Sequence, residues 1–274
     1  MLFSMLTYPN IDPVVINIAG PLAVRWYSLA YIAGFFVCIF FAKRQNKKLK
    51  FASDEVCDKF FSYSMIGLLV GARLFDCFFY HFSYNIHNPL NIFKVWNGGM
   101  SFHGGLIGLL VANVWFSHRF KINALKLLDL CVVVLPFALG FGRIANFINS
   151  ELYGNITYTS PFAMIFPTDP AQQPRHPSQL YEAFAEGALM LAVMLVCYYK
   201  TKAVKFTGML TGIFGLYYSI ARFVCEFFRS PEIPFKILGH ETITAGQFIS
   251  VLMFLTAIVW MILCYKIGKK VKKS

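Results

Sequence analysis

A short polar run around Arg143 has the residue types that could bind an anion. Its polar residues and glycines are Gly142, Arg143, Asn146, Asn149, Ser150, Glu151 and Gly154. On a helix, Arg143, Asn146 and Ser150 lie on one face, because they are three and four residues apart. A guanidinium beside amide groups suits a phosphate or a carboxylate, since it can donate to two oxygens at once. The run predicts an anion site, with a purely structural cap as the alternative.

His103 is the second residue that could do chemistry. It is flanked by Gly98 and Gly99 on one side and by Gly104 and Gly105 on the other. Small neighbours would leave room for a ligand around the imidazole, and histidine is the side chain best suited to move a proton near neutral pH. Spacing alone leaves two alternatives open, a catalytic histidine and a packed, hydrogen-bonded one.

The composition shows which elements must position these residues. Of the 274 residues, 57% are hydrophobic and only 14% are charged, whereas average globular proteins have about 25% charged residues. The mean hydropathy is +0.58. These values exclude a soluble enzyme, a disordered chain and a fibrous repeat. We expect one all-α, polytopic integral membrane domain over residues 1–274.

The seven predicted transmembrane helices lie near residues 21–42, 59–80, 98–117, 126–147, 178–199, 206–228 and 243–265, each about 20 mainly apolar residues long. Basic residues cluster at 43–50, 119–126, 200–205 and 266–273. Such clusters are typical of cytoplasmic loops. All four fall on one side if the N-terminus is outside and the C-terminus inside. The net charge of +12 therefore reflects topology, and we expect no nucleic-acid partner.

Charged residues inside apolar stretches need a partner or a function, because each costs about 2.5–3.5 kcal/mol on insertion scales. The pairs Arg73 with Asp76 and Glu226 with Arg229 are interpreted as ion pairs. Asp129 is interpreted as an interfacial residue. The sequence also has Glu182 and Glu186 one turn apart, and Arg222 one turn before Glu226.

Four sequence blocks resemble the bacterial prolipoprotein diacylglyceryl transferase family. They are GRIANFINSELYG at 142–154, MSFHGGLIG at 100–108, RHPSQLYEA at 175–183 and RFVCEFFRSPE at 222–232. The resemblance implies transfer of the sn-1,2-diacylglyceryl group from phosphatidylglycerol to the lipobox cysteine of a prolipoprotein signal peptide. The products would be a thioether and glycerol phosphate. It also implies a multi-pass protein of the bacterial inner membrane, in contact with membrane lipids.

The resemblance and the residue chemistry together suggest roles. Arg143 and Arg222 are the catalytic candidates for holding the phosphate, and His103 is the candidate base, with activation of the thiol by the arginines alone as the alternative. The substrate-binding candidates, besides Arg143, are Asn146, Glu151, Gly154, Tyr27 and Tyr218. The seven cysteines show no metal-ligand spacing, so neither a metal nor an organic cofactor is expected. A transporter for an anionic solute is the alternative function, but no inverted repeat is visible.

Overall fold

The computed structural model is mostly helical and describes residues 6–19, 22–94, 99–230 and 243–271. Gly98 and residues 231–242, which include the last two residues of the 222–232 block, lie outside the described residues. The described part forms two compact units. One contains the residues up to Phe41 and those from Asp129 onward, and the other contains Ala42–Leu128.

The helices follow the predicted apolar stretches. They are α1 (Trp26–Leu49), α2 (Asp54–Phe75), α3 (Phe82–His87), α4 (Phe102–Phe120), α5 (Ala124–Ile148), α6 (Ser178–Glu182), α7 (Met190–Lys200), α8 (Met209–Cys225) and α9 (Ala245–Val271). A π-helical turn, Asp76–Tyr80, continues α2, and a second π-helical segment, Ala183–Leu189, joins α6 to α7.

Within the described residues, five helical segments are long and apolar enough to cross a membrane. They are Trp26–Leu49, Asp54–Tyr80, Ala124–Ile148, Ser178–Lys200 and Ala245–Gly268. Helix α8 is apolar but shorter, with 17 residues. Helix α4 has 19 residues, and His103, Asn113, His118 and Arg119 lower its hydropathy. The chain is therefore a multi-pass membrane protein, although length and composition alone do not fix seven spans.

The fold also contains short strands, which the all-α prediction missed. Strands β1 (Val14–Ala19) and β2 (Leu22–Arg25) pair antiparallel, with Val14 opposite Arg25. Strands β3 (Met164–Ile165) and β4 (Pro174–Arg175) form a second antiparallel pair. The latter pair lies in the proline-rich loop 155–177, which has no helix, because proline removes the N–H groups that a helix needs.

In the unit Ala42–Leu128, glycines allow α2 and α4 to pack at close range. A Cβ atom on Gly67 would lie 2.6 Å from the carbonyl oxygen of Gly108, and one on Gly71 would lie 2.7 Å from the Gly108 Cα. A Cβ atom on Gly104 would likewise lie too close to the Gly71 carbonyl oxygen. Gly67 and Gly71, like Gly104 and Gly108, are four residues apart, the GxxxG spacing that lets two helix backbones pack closely.

Gly108→Ala is expected to destabilise the protein by about 1–3 kcal/mol, because the added methyl group would overpack the helix contact. Gly105→Ala is the matched control on the same helix, since its Cβ would be 3.5 Å from the Ala72 Cβ, an ordinary contact. Thermal unfolding in detergent measures both. Equal midpoints for the two variants would contradict the close packing of α2 and α4.

In the other unit, Asp129 is a buried cap of α8. Its carboxylate accepts hydrogen bonds from the Gly208 N–H (2.6 Å), the Thr211 N–H (2.9 Å) and the Thr211 hydroxyl (2.7 Å). Only 5% of the residue is exposed. The sequence placed Asp129 at the membrane interface and did not predict that the start of α8 would lie against it.

Candidate active site

Three arginines and three glutamates meet within the unit formed by the residues up to Phe41 and from Asp129 onward. We call them the arginine–glutamate cluster: Arg143 of α5, Glu182 of α6, Glu186 of the π-helical segment, Arg222 of α8, and Glu226 and Arg229 directly after α8. Glu182 and Glu186 are fully buried. The arginine side chains are between 9% and 18% exposed, so the cluster is largely shielded from solvent.

Close packing between Gly140 and Gly187 brings Arg143 to the glutamates. A Cβ on Gly187 would lie 2.6 Å from the Gly140 Cα, so α5 and the π-helical segment touch backbone to backbone. Arg143 is one turn beyond Gly140, and Glu186 precedes Gly187. The Arg143 guanidinium contacts Glu186 Oε2 through both Nε and Nη2, each at 3.1 Å.

Glu182 is the centre of the cluster. Its Oε1 accepts from Arg222 Nη1 at 2.6 Å and from Arg229 Nη1 at 3.2 Å. Its Oε2 lies 3.1 Å from Arg143 Nη1. One carboxylate therefore joins three guanidinium groups that come from α5 and from the end of α8.

The ion pairs of α8 differ from the predicted ones. Glu226 Oε2 lies 2.7 Å from Arg222 Nη2, an i,i+4 contact, whereas the sequence analysis paired Glu226 with Arg229. Arg229 instead contacts Glu182. The reason is that α8 ends at Cys225, and the turn that follows directs Arg229 toward α6.

The formal charges of the cluster cancel, because three guanidinium groups face three carboxylates. Such a network fixes the arginines before any substrate arrives. Fixed donors in a poorly solvated site can stabilise charge that develops during a reaction, without having to reorganise at that moment. The predicted pair Arg143 and Arg222 is thus brought together, with Glu182 between the two.

Tyrosines border the cluster. The Tyr218 side chain is within electrostatic range of Arg143, Arg222 and both buried glutamates. Tyr31 of α1 is within range of Arg143, and its hydroxyl lies 3.3 Å from that of Tyr27. Tyr218 and Tyr31 thus interact electrostatically with the cluster, and Tyr27 contacts Tyr31.

The end of the 142–154 run forms a local hydrogen-bonded corner. Asn146 Nδ2 and Asn149 Nδ2 both donate to Glu151 Oε1, at 2.7 and 3.2 Å. Gly154 donates its N–H to the His176 carbonyl at 2.9 Å, and a Cβ there would lie 2.8 Å from the same oxygen. Glycine is needed at 154 because the neighbouring backbone leaves no room for a side chain.

The proline-rich loop 155–177 is folded and is held by its own side-chain contacts. Arg175 donates to both oxygens of Asp169, at 2.6 and 3.1 Å, and these hydrogen bonds hold the pKa of Asp169 below its ordinary value. Tyr8 packs on Phe147 and Phe166 and donates to the Phe147 carbonyl. The loop therefore has its own small core.

His103 belongs to the unit Ala42–Leu128. It is exposed at the start of α4, and its Nδ1 lies 3.5 Å from the Tyr80 hydroxyl. Gly104 packs against α2, and Gly105 makes ordinary contacts with it. Gly104 and Gly105 therefore pack against α2 and do not clear space for a ligand, while His103 itself is exposed.

Arg73, near the end of α2, holds the segment that leads to α4. Its guanidinium donates to the carbonyl oxygens of Asn91, Ile92, Lys94 and Gly99. Its predicted partner, Asp76, instead has its carboxylate 3.2 Å from His81 Nδ1.

Sequence comparison identifies related proteins. A family model described as prolipoprotein diacylglyceryl transferase matches residues 13–263. Proteins named phosphatidylglycerol–prolipoprotein diacylglyceryl transferase show high similarity over most of both chains. One from Rickettsia felis is 43% identical over 251 residues, covering 91% of this chain and 95% of its own.

Two further relatives have the same name. One from Photobacterium profundum is 40% identical over 269 residues, covering 97% of this chain and 98% of its own. One from Gluconobacter oxydans is 43% identical over 259 residues, covering 94% of each chain. The matched range contains the whole arginine–glutamate cluster and His103. The chain therefore belongs to the prolipoprotein diacylglyceryl transferase family.

Proposed function

We propose that this protein transfers the diacylglyceryl group of phosphatidylglycerol to the cysteine thiol of a prolipoprotein. The observation that carries the proposal is the family match over residues 13–263. The buried arginines add chemical support, because the substrate has a phosphodiester and the products include a phosphate monoester. An anion transporter is disfavoured, since the related proteins are named as transferases.

In the proposed reaction, the cysteine sulfur attacks the glyceryl carbon that is bonded to the phosphate oxygen. A C–S bond forms, the C–O bond breaks, and its electron pair stays on the phosphate of the departing glycerol phosphate. Arg143 and Arg222 stabilise that charge. The thiol must lose its proton, because the thiolate is the nucleophile, and His103 is our candidate for the acceptor.

We assign substrate binding to the residues around these groups. Asn146, Glu151 and Gly154 shape the head-group pocket, and Tyr218 and Tyr27 supply polar contacts. Arg143 contributes to binding as well as to charge stabilisation. The acceptor is the lipobox cysteine in a precursor's signal peptide, and membrane lipid surrounds the protein.

Turnover with purified protein tests the function. Vesicles of phosphatidylglycerol and a lipobox peptide should yield glycerol phosphate and a lipidated peptide. Replacing the peptide's cysteine by serine should abolish both products, because an alcohol is much less acidic than a thiol. Movement of an anionic solute across sealed vesicles without lipid turnover would instead support a transporter.

We further propose a single membrane domain over residues 1–274 with seven spans, an external N-terminus and an internal C-terminus, in the bacterial inner membrane. The one-sided grouping of the basic clusters supports this topology. Reporter fusions after Lys50, Arg119, Lys205 and Ser274 should report the cytoplasm. A fusion near Asp169 should report the periplasm, and a cytoplasmic signal there would overturn the seven-span topology.

A further inference from the structure

The start of α9 is closed by a capping box. The Gln247 N–H donates to the Thr244 hydroxyl oxygen at 3.1 Å, and the Thr244 N–H donates to Gln247 Oε1, also at 3.1 Å. This reciprocal arrangement satisfies two N–H groups at the beginning of the helix. It also fixes the position of the Thr244 hydroxyl, because that oxygen is already an acceptor within the box.

The same hydroxyl connects the cap to the arginine–glutamate cluster. Thr244 Oγ1 donates to Glu226 Oε1 at 2.9 Å, and Glu226 Oε2 lies 2.7 Å from Arg222 Nη2. Each oxygen of the Glu226 carboxylate therefore has a different partner. The buried Glu226 carboxylate therefore links the cap of α9 to Arg222, whose guanidinium we place at the phosphate of the lipid.

The Glu226 carboxylate packs directly against Gly246. A Cβ on Gly246 would be 2.5 Å from Glu226 Oε1 and 2.7 Å from Oε2. Any side chain at position 246 would thus displace the carboxylate. A side chain at position 246 and the Glu226 carboxylate in its present position therefore exclude each other.

We propose that Thr244 and Gly246 are positioning residues of the transferase. They hold Glu226 in one orientation, and Glu226 in turn aims the Arg222 guanidinium at the phosphate of the lipid. This inference rests on the proposed function. Neither residue touches the substrate, so their effect is expected in the rate of the chemical step, where the fixed direction of Arg222 matters most.

The first test compares two glycine substitutions. Gly246→Ala should lower kcat by about 100-fold, the effect of a misplacement of roughly 1 Å at a reacting centre, while KM for phosphatidylglycerol changes little. Gly215→Ala is the matched control on α8, because its Cβ would lie 3.6 Å from the Ala257 Cβ, an ordinary contact. Equal kcat values for the two variants would overturn the proposal.

The second test uses a conservative pair and does not depend on Gly246→Ala folding. Thr244→Ser keeps the hydroxyl and should retain kcat, whereas Thr244→Val has a similar shape, lacks the hydroxyl and should lose activity. Thr244→Val in an Arg222→Ala background should cause no further loss. A valine variant with a lowered thermal midpoint but wild-type kcat would reduce Thr244 to a structural cap, against the proposal.

These outcomes are distinct from a failure of the proposed function. If the wild-type protein and Gly215→Ala both release glycerol phosphate from phosphatidylglycerol, the function stands whatever the other variants do. If neither protein shows turnover, the function fails and the positioning role fails with it. An equal further loss from Thr244→Val in the Arg222→Ala background would show that the cap acts by another route, and would overturn the proposal alone.

Discussion

Glu182→Ala is expected to destabilise the protein by about 3–5 kcal/mol, the cost of removing one partner from a buried ion pair. Glu182 is fully buried and contacts Arg143, Arg222 and Arg229. Its loss leaves three guanidinium groups facing only two carboxylates, in a site where water cannot solvate the excess charge. Activity should fall as well, because Arg143 and Arg222 lose their common anchor.

Thermal unfolding and turnover in detergent measure these two effects. Asp58→Ala is the control, because Asp58 forms a salt bridge with Lys43 while its side chain is 59% exposed. Surface pairs of this kind contribute at most about 1 kcal/mol. If Glu182→Ala is as stable as Asp58→Ala, the arginines of the cluster are solvated in the folded protein and the buried network is not its organising feature.

His103→Ala and Arg143→Ala should both lower turnover strongly but respond differently to pH. Loss of a general base costs about 100- to 10,000-fold, and loss of one electrostatic donor costs about 100- to 1,000-fold. Raising the pH toward the thiol pKa of about 8.5 supplies thiolate from solution. It should therefore partly rescue His103→Ala and leave Arg143→Ala unchanged.

The measurement is a pH profile of glycerol phosphate release for each variant and the wild type. Arg143→Lys should recover little, because an ammonium group cannot reproduce the contact that two guanidinium nitrogens, Nε and Nη2, make with Glu186 Oε2. If His103→Ala stays inactive at high pH, His103 is not the base. The arginines would then be left to activate the thiol.

The sequence predicted the locations of the long helices well, because their apolar runs are separated by basic or proline-rich segments. It also identified Arg143 and Arg222 as the charges to explain. It did not identify their partners. Arg143 and Glu186 are 43 residues apart, and they meet through a glycine contact and a π-helical segment. No local sequence pattern predicts the glycine contact or the π-helical segment.

The packing of the glycines after His103 and the role of Asp129 also depend on tertiary contacts. The glycines after His103 have the same spacing whether they admit a ligand or a neighbouring helix, and only the α2–α4 contact distinguishes these alternatives. Asp129 was assigned by its position near a helix end. Its actual role depends on the first turn of α8 lying against it, which is a long-range contact. The sequence feature that indicated the centre of the cluster was the i,i+4 spacing of Glu182 and Glu186 in an apolar stretch.

The distribution of charge within the arginine–glutamate cluster has a consequence for how the protein is made. Arg222 and Glu226 neutralise each other within one segment, so the segment around α8 carries its own counter-charge. The Arg143 guanidinium of α5 instead contacts Glu182 and Glu186, which come later in the chain. We therefore expect the charge of Arg143 to be neutralised only once the segment from Ser178 to Lys200 has been synthesised. Until then, the remaining apolar residues of α5 must offset the cost of placing Arg143 in the membrane.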